Sequence, residues 1–163
     1  MVGKKAEQEA QKDPKNTISS SKRLLGKTLN DLPRQEKLPY SFVDHPLFIQ
    51  YDTIAGVKTP IEVASEILKN LYQRAKKELN KPIKGAVITV PAYFTEGQRQ
   101  ATKAAAEIAR IPLLRLINEP TAAAIAYGLD NHAQGDFIVY DLGGGTLDAV
   151  SYTHLTLPTT PYV

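Results

Sequence analysis

The stretch Asp141-Leu142-Gly143-Gly144-Gly145-Thr146 ends a predicted strand over residues 136–141 and is the most informative part of the sequence. Glycines lack a Cβ, so their backbone N–H groups can turn toward an anion, and the threonine hydroxyl adds a donor. The spacing matches neither the dinucleotide-binding nor the P-loop pattern. A tight hairpin turn is the alternative interpretation. Asp141 favours a phosphate loop, because a carboxylate beside a bound anion requires a cation, here Mg2+.

Helices and strands alternate in the sequence before this loop, which predicts an α/β fold. Thr59-Pro60-Ile61-Glu62 and Thr95-Glu96-Gly97-Gln98 each place Glu or Gln three residues after a threonine N-cap, the pattern that begins a helix. The predicted order is a helix over 59–80, a strand over 85–90 that is buried on both faces, a helix after Thr95, a strand over 113–117, a helix over 121–129 begun by Pro120, and the strand over 136–141.

The two ends and the proline-rich region have weaker patterns. Residues 1–15 are polar and predict a poorly packed arm or a short helix, whereas residues 30–58 predict short antiparallel strands. Residues 151–163 carry no Lys, Arg, Asp or Glu and have no regular period. We therefore expect the strand after the glycines to end at Val150.

Composition excludes several classes of function. The chain has no cysteine and three scattered histidines, so thiol chemistry, disulfides and cysteine-based metal sites are excluded. Residues 1–30 hold seven Lys or Arg against three Asp or Glu, which fits a solvated basic arm or a phosphate-rich ligand, with no pattern for nucleic acid. Neither a membrane-spanning stretch nor a secretory signal is visible, so we expect a cytoplasmic protein without membrane or nucleic-acid partners.

For two further charged residues, the sequence alone does not distinguish a functional role from an ordinary structural one. Glu119 precedes Pro120 at a predicted strand-to-helix junction, where a carboxylate complements the helix dipole. Lys22 stands in a loop, and most lysines are solvated surface charges. Spacing alone does not join these residues into one site.

Five stretches nevertheless resemble, in order, the ATPase domain of the DnaK-type heat-shock chaperones. They include Val87-Ile88-Thr89-Val90-Pro91-Ala92-Tyr93-Phe94 and Ile117-Asn118-Glu119-Pro120-Thr121-Ala122-Ala123-Ala124, together with residues 16–26, 98–103 and 139–146. Residues 16–26 and Leu38-Pro39-Tyr40-Ser41-Phe42 are most similar to the HscA-type branch, the chaperones of iron-sulfur cluster assembly. The resemblance covers about residues 2–149.

The resemblance implies an actin-like ATPase fold, related to ribonuclease H, of two lobes around a nucleotide cleft. Residues 1–150 are expected to form most of the first lobe and the first hairpin of the second. The first phosphate loop, the adenosine-binding half, the linker and the peptide-binding domain are expected to lie outside these residues. Leu147 replaces the family's usual phenylalanine, and residues 151–163 resemble a frameshift or read-through rather than the family.

The resemblance also assigns roles to residues. Lys22, Glu119 and Asp141 resemble catalytic residues, and Asp141, Glu119 and Asp148 resemble the acids near the Mg2+ and K+ sites. Gly143, Gly144, Gly145 and Thr146 resemble the second phosphate loop. Pro91 and Arg99 resemble an allosteric relay. Arg115, Asn118 and Thr121 resemble the surface that J-domain co-chaperones and the interdomain linker contact.

The function implied is ATP-dependent chaperoning in protein folding or iron-sulfur cluster assembly, with ATP or ADP and Mg2+ as cofactors. The implied partners are a J-domain co-chaperone and, through the peptide-binding domain, an unfolded client or an iron-sulfur scaffold protein. Two alternatives stay open: a sugar kinase or phosphatase of the actin-like superfamily, and an inactive fragment that at most binds a co-chaperone. We expect the parent protein to hydrolyse ATP and this chain alone to be inactive.

Overall fold

The computed structural model describes residues 1–32, 38–127, 136–143 and 147–152. Its α-helices are α1 (Lys4–Glu9), α2 (Pro60–Leu79), α3 (Glu96–Ile108) and α4 (Glu119–Ala126), and two 3-10 helices span Ser21–Leu24 and Leu29–Asp31. Its strands are β1 (Ser41–Val43), β2 (Gln50–Thr53), β3 (Gly56–Lys58), β4 (Ala86–Val90), β5 (Leu113–Asn118), β6 (Phe137–Leu142) and β7 (Leu147–Tyr152). The predicted α/β class and the order of elements from residue 59 are confirmed.

The chain divides into two compact units. The first comprises Met1–Ala86 and Thr95–Leu114, and the second comprises Val87–Phe94 and the chain from Arg115 onward. Each unit therefore contains two separate segments of the sequence.

A small antiparallel sheet and a buried cluster organise the first unit. β1, β2 and β3 follow one another in the sheet, as the proline-rich stretch predicted, with Phe42 opposite Tyr51. Leu24, Ile49 and Tyr51 form the buried centre of the cluster. Partly buried apolar side chains surround it: Ile18, Leu29, Leu32, Leu38, Tyr40, Phe42 and Val63.

Both predicted capping boxes are present at the two long helices of this unit. At α2 the Thr59 backbone N–H donates to Glu62 Oε2 at 2.7 Å, and the Glu62 N–H donates to Thr59 Oγ1 at 3.2 Å. At α3 the Thr95 N–H donates to Gln98 Oε1 at 3.0 Å. α2 packs against both α3 and the first 3-10 helix. α1 buries no residue, in agreement with a short, poorly packed helix.

β4 and β5 pair in a two-stranded sheet that lies mostly in the second unit. Burial alternates along β4, and Val87 remains 53% exposed. The prediction that this strand is buried on both faces is therefore wrong for the described residues, because an uninterrupted apolar run does not by itself supply an element to cover each face.

α4 and the β6–β7 hairpin complete the second unit and contact each other. α4 begins at Glu119, one residue before Pro120, which the sequence predicts to begin this helix. β7 continues to Tyr152, which pairs with Phe137, so the expectation that the strand ends at Val150 is wrong. Backbone pairing to β6 holds these two residues in the strand. Within the described residues, no helix combines the length and apolar character needed to cross a membrane.

Candidate functional site

The β6–β7 hairpin brings two of the predicted metal-binding acids together. The register places Asp141 directly opposite Asp148, near the end of β6 that leads into the glycine run. Directly opposite residues of an antiparallel pair project to the same face, with Cβ atoms about 4.5–5.5 Å apart. The same face carries the partly buried Phe137 and Val139, whereas the opposite face carries the exposed Ile138, Tyr140 and Leu142. The two carboxyl groups are thus held as a pair by the hairpin itself.

Asp148 occupies an unusual environment for a carboxyl group. It is only 6% exposed, and its Oδ2 atom has no hydrogen-bond partner among the described residues. A buried carboxylate normally acquires a partner, because leaving it without one costs free energy. A bound cation would satisfy this oxygen. Carboxylate oxygens suit Mg2+, which proteins commonly hold through one or two carboxylates with waters and phosphate oxygens completing the shell, so the Asp141–Asp148 pair fits the implied ion.

Glu119 lies in the same unit, in the first turn of α4, where it is partly buried. In the part of the chain that the structure describes, no three His, Asp or Glu side chains gather into a group that could hold a metal ion. Glu119 is therefore not added to the aspartate pair, and its catalytic and metal-binding roles stay predictions. At this position its charge also complements the dipole of α4.

The predicted phosphate loop is only partly covered by the structure. Gly143 follows β6 and is exposed, as an anion-binding backbone requires. Gly144, Gly145 and Thr146 lie outside the described residues.

Lys22 belongs to the first unit, where it lies exposed in the 3-10 helix Ser21–Leu24. Ser21 and Leu24, which flank it on this helix, are buried. The helix is preceded by Ser20 in the left-handed region and followed by Gly26 at φ +65°. A buried framework with an exposed lysine agrees with a positioned cation, while the catalytic role of Lys22 stays a prediction.

The residues predicted to relay nucleotide state are distributed over both units. Pro91 is fully buried and its carbonyl accepts from the Phe94 N–H at 3.1 Å, whereas Arg99 lies in the first turns of α3 in the other unit. Arg115 and Asn118 are partly buried on β5. Thr121 Oγ1 forms a hydrogen bond of 2.9 Å with the Tyr152 hydroxyl, which ties α4 to β7.

Comparison with known proteins decides the family. The family model described as Hsp70 protein matches residues 1–156. The chain belongs to the Hsp70 family. Its partial actin-like ATPase fold, predicted from the sequence, follows from that membership.

Individual relatives narrow this assignment. The chain is 59% identical over 155 residues to the chaperone protein HscA homolog of Ralstonia nicotianae, and 58% identical over the same length to those of Cupriavidus pinatubonensis and Methylobacillus flagellatus. Each match covers 95% of this chain and 25% of the relative. This Hsp70-family chain therefore spans about a quarter of the length of the curated relatives that it matches, and it is HscA-like over that quarter.

The sequence analysis does not predict the contacts that hold residues 19–27, called here the Lys22 loop. In the sequence, Tyr40 stands out only as part of a family-like stretch, and Gly26 only as the end of another. Their partners, Ser19 and Gln98, are distant in the sequence. No local pattern marks such contacts, because they arise from tertiary packing.

Proposed function

We propose that the full-length protein is an ATP-dependent molecular chaperone that assists protein folding or iron-sulfur cluster assembly, and that this chain contributes part of its nucleotide site. The observation that carries the proposal is the Asp141–Asp148 pair beside the glycine run, with one carboxylate oxygen buried and without a partner among the described residues. The HscA homologues, which are named chaperone proteins, support it.

In this proposal ATP is hydrolysed by in-line attack of water on the γ-phosphate. Bound Mg2+, with K+ as a further cation, would supply positive charge that offsets the charge on the phosphate oxygens. Lys22 would contact the γ-phosphate and orient the attacking water. Glu119 and Asp141 would hold the ion through its waters, and Asp148 would lie near the cation sites. Residues 143–146 donate backbone N–H groups to the phosphates, and Thr146 adds its hydroxyl.

The proposal includes a path from nucleotide to partners. Pro91 and Arg99 relay the nucleotide state, and Arg115, Asn118 and Thr121 contribute to a surface for a J-domain co-chaperone. An unfolded client or an iron-sulfur scaffold protein binds through a peptide-binding domain elsewhere in the protein. A cytoplasmic location remains a prediction.

We further propose that residues 1–150 form part of the ATPase domain and that residues 151–163 depart from the family. The pairing of Ser151 and Tyr152 with β6 extends the hairpin two residues past that boundary. The alternative of a sugar kinase or phosphatase is disfavoured by the Hsp70 match over residues 1–156. The chain alone is expected to be inactive in hydrolysis, since it spans about a quarter of the length of its HscA-type relatives.

The test is ATP hydrolysis and Mg2+-dependent ATP binding by the full-length protein and its Asp141→Asn variant. We expect hydrolysis in the unchanged protein and a loss of roughly tenfold or more in Asp141→Asn, since losing a hydrogen bond to a charged group typically costs about 1.5–3 kcal/mol. Asp136→Asn is the matched control, because Asp136 is exposed and directly precedes β6. Equal activity in all three proteins contradicts the assigned site, and absence of hydrolysis in the unchanged protein contradicts the function.

A further inference from the structure

The hydroxyl of Tyr40 makes three hydrogen bonds to one residue, Ser19, which lies three positions before Lys22. It accepts from the Ser19 N–H at 2.8 Å, lies 3.0 Å from Ser19 Oγ and donates to the Ser19 carbonyl at 3.1 Å. One donor and two acceptors are the full capacity of a tyrosine hydroxyl. Tyr40 therefore fixes the backbone of Ser19 on both sides of its Cα atom.

The backbone between Ser19 and Lys22 requires such a constraint. Ser20 has φ 53° and ψ 27°, the left-handed conformation that residues with a Cβ rarely adopt. A residue of this kind persists only when its surroundings determine it. Ser20 is the N-cap of the 3-10 helix but makes no side-chain capping bond there. Fixing Ser19 thus determines where the helix that carries Lys22 begins.

The other end of the loop is anchored to the same cluster. Leu24 is 5% exposed in the buried centre, Ile18 and Tyr40 pack around it, and the Ile49 N–H donates to the Lys27 carbonyl at 3.1 Å. Packing therefore fixes the loop at Leu24, a backbone hydrogen bond fixes it at Lys27, and the hydroxyl of Tyr40 fixes it at Ser19. The exposed Lys22 lies between these anchors.

We propose that Tyr40 is a positioning residue for Lys22, acting through Ser19 and without contact to the reacting groups. This inference rests on the proposed ATP hydrolysis. Lys22 must reach one point relative to the γ-phosphate, and small displacements of a catalytic group reduce the rate steeply. Loss of the Tyr40 hydroxyl frees Ser19 and Ser20 while the apolar anchors remain, so it lowers the rate of the chemical step more than it lowers nucleotide affinity.

Tyr51 supplies a matched control in the same cluster. Its ring lies 5.4 Å from that of Tyr40 in an edge-to-face arrangement, yet its buried hydroxyl has no hydrogen-bond partner among the described residues. Tyr40→Phe and Tyr51→Phe therefore remove the same atom from neighbouring rings. Only the first removes hydrogen bonds to Ser19.

The experiment measures single-turnover ATP hydrolysis and the nucleotide Kd of the full-length protein with Mg2+, after thermal melting has established that each variant is folded. We expect Tyr40→Phe to lower the rate about three- to tenfold, with the Kd unchanged within about twofold, as loss of a few exposed hydrogen bonds implies. Tyr51→Phe leaves both quantities unchanged. Ser19→Ala removes one of the three contacts and gives a smaller loss in the same direction.

A double-mutant cycle separates positioning from general packing. In a Lys22→Ala background, adding Tyr40→Phe produces no further loss, because its effect is transmitted through Lys22. If Tyr40→Phe lowers the rate in the Lys22→Ala background by the same factor as in the unchanged protein, the inference is overturned. It is also overturned if Tyr51→Phe lowers the rate as much as Tyr40→Phe. A folded Tyr40→Phe variant with the unchanged protein's rate overturns it while leaving the proposed function intact. Absence of hydrolysis in the unchanged protein overturns both.

Discussion

The Lys22 loop and the β6–β7 hairpin place charged side chains by different means. The Lys22 loop is held by contacts to residues distant in sequence, among them Tyr40, Ile49 and Gln98. In the hairpin, Asp141 and Asp148 are paired by strand register alone. A position set by tertiary contacts depends on the surrounding core, whereas one set by register depends on backbone pairing. Substitutions should therefore affect the two regions very differently.

The largest contrast is expected from the same leucine truncation in each region. Leu24→Ala removes a side chain that is 5% exposed and should lower the free energy of unfolding by about 2–5 kcal/mol. Leu142→Ala removes a leucine side chain that is 71% exposed, on the exposed face of β6. It should change the free energy of unfolding by less than about 0.5 kcal/mol. Urea denaturation followed by circular dichroism measures both. Equal losses would remove the distinction between the regions.

Gly26→Ala should have the next largest effect. Gly26 has φ +65°, and a Cβ there would lie 3.2 Å from the Cα, Cγ and backbone N atoms of Gln98. We expect Gly26→Ala to lower the free energy of unfolding by about 2 kcal/mol, because backbone strain and crowding against Gln98 act together.

Gly56→Ala is the control for this substitution. Gly56 has φ +91° with nothing within 4 Å of an added Cβ, so only strain remains, worth about 1 kcal/mol. The difference between the two midpoints of denaturation measures the contact with α3. No difference would mean that Gln98 gives way and does not fix the loop.

Asp148→Asn should raise stability modestly when divalent cations are removed by chelation. It abolishes a buried charge opposite Asp141, and the new amide can donate to that carboxylate, a gain of about 1 kcal/mol. Asp136→Asn, at the exposed start of the hairpin, should change little. Added Mg2+ should stabilise the unchanged chain more than Asp148→Asn. Equal stabilisation of both would argue against an ion at this pair.

The smallest expected effect on stability is the pH-dependent contribution of Asp31, in the 3-10 helix that follows the Lys22 loop. Hydrogen bonds from the backbone N–H and hydroxyl of Thr28, at 2.7 and 2.8 Å, lower the pKa of this carboxyl. Its stabilising contribution is present above the unfolded pKa of about 3.9 and is lost as pH falls through the lower folded value.

Asp31→Asn should accordingly flatten the acid limb of a plot of thermal midpoint against pH. Thr28→Val keeps the backbone donor, the larger cause of the shift, and should flatten it less. An unchanged slope in Asp31→Asn would show that other carboxyl groups govern the acid limb.

The two regions also differ in how much of their structure the sequence alone predicts. The caps of α2 and α3 were predictable, because Thr59 and Thr95 lie three residues from their partners. The α/β order and the family-like stretches were likewise visible in contiguous residues. The opposition of Asp141 and Asp148 depends on the hairpin register, which sequence alone did not establish. The hydrogen bonds of Tyr40 to Ser19 join residues 21 positions apart and depend on the packing of the whole cluster.

The buried hydroxyl of Tyr51 gives this chain an internal optical reporter. The chain has eight tyrosines and no tryptophan, so its near-ultraviolet absorbance is dominated by phenol groups. Burial, and secondarily Tyr40, raise the pKa of Tyr51, whereas an exposed phenol ionises near pH 10. In an alkaline titration Tyr51 should therefore ionise at a higher pH than the exposed tyrosines do. It should ionise only when the cluster of Leu24, Ile49 and Tyr51 opens. Its delayed absorbance change follows that opening without an attached dye.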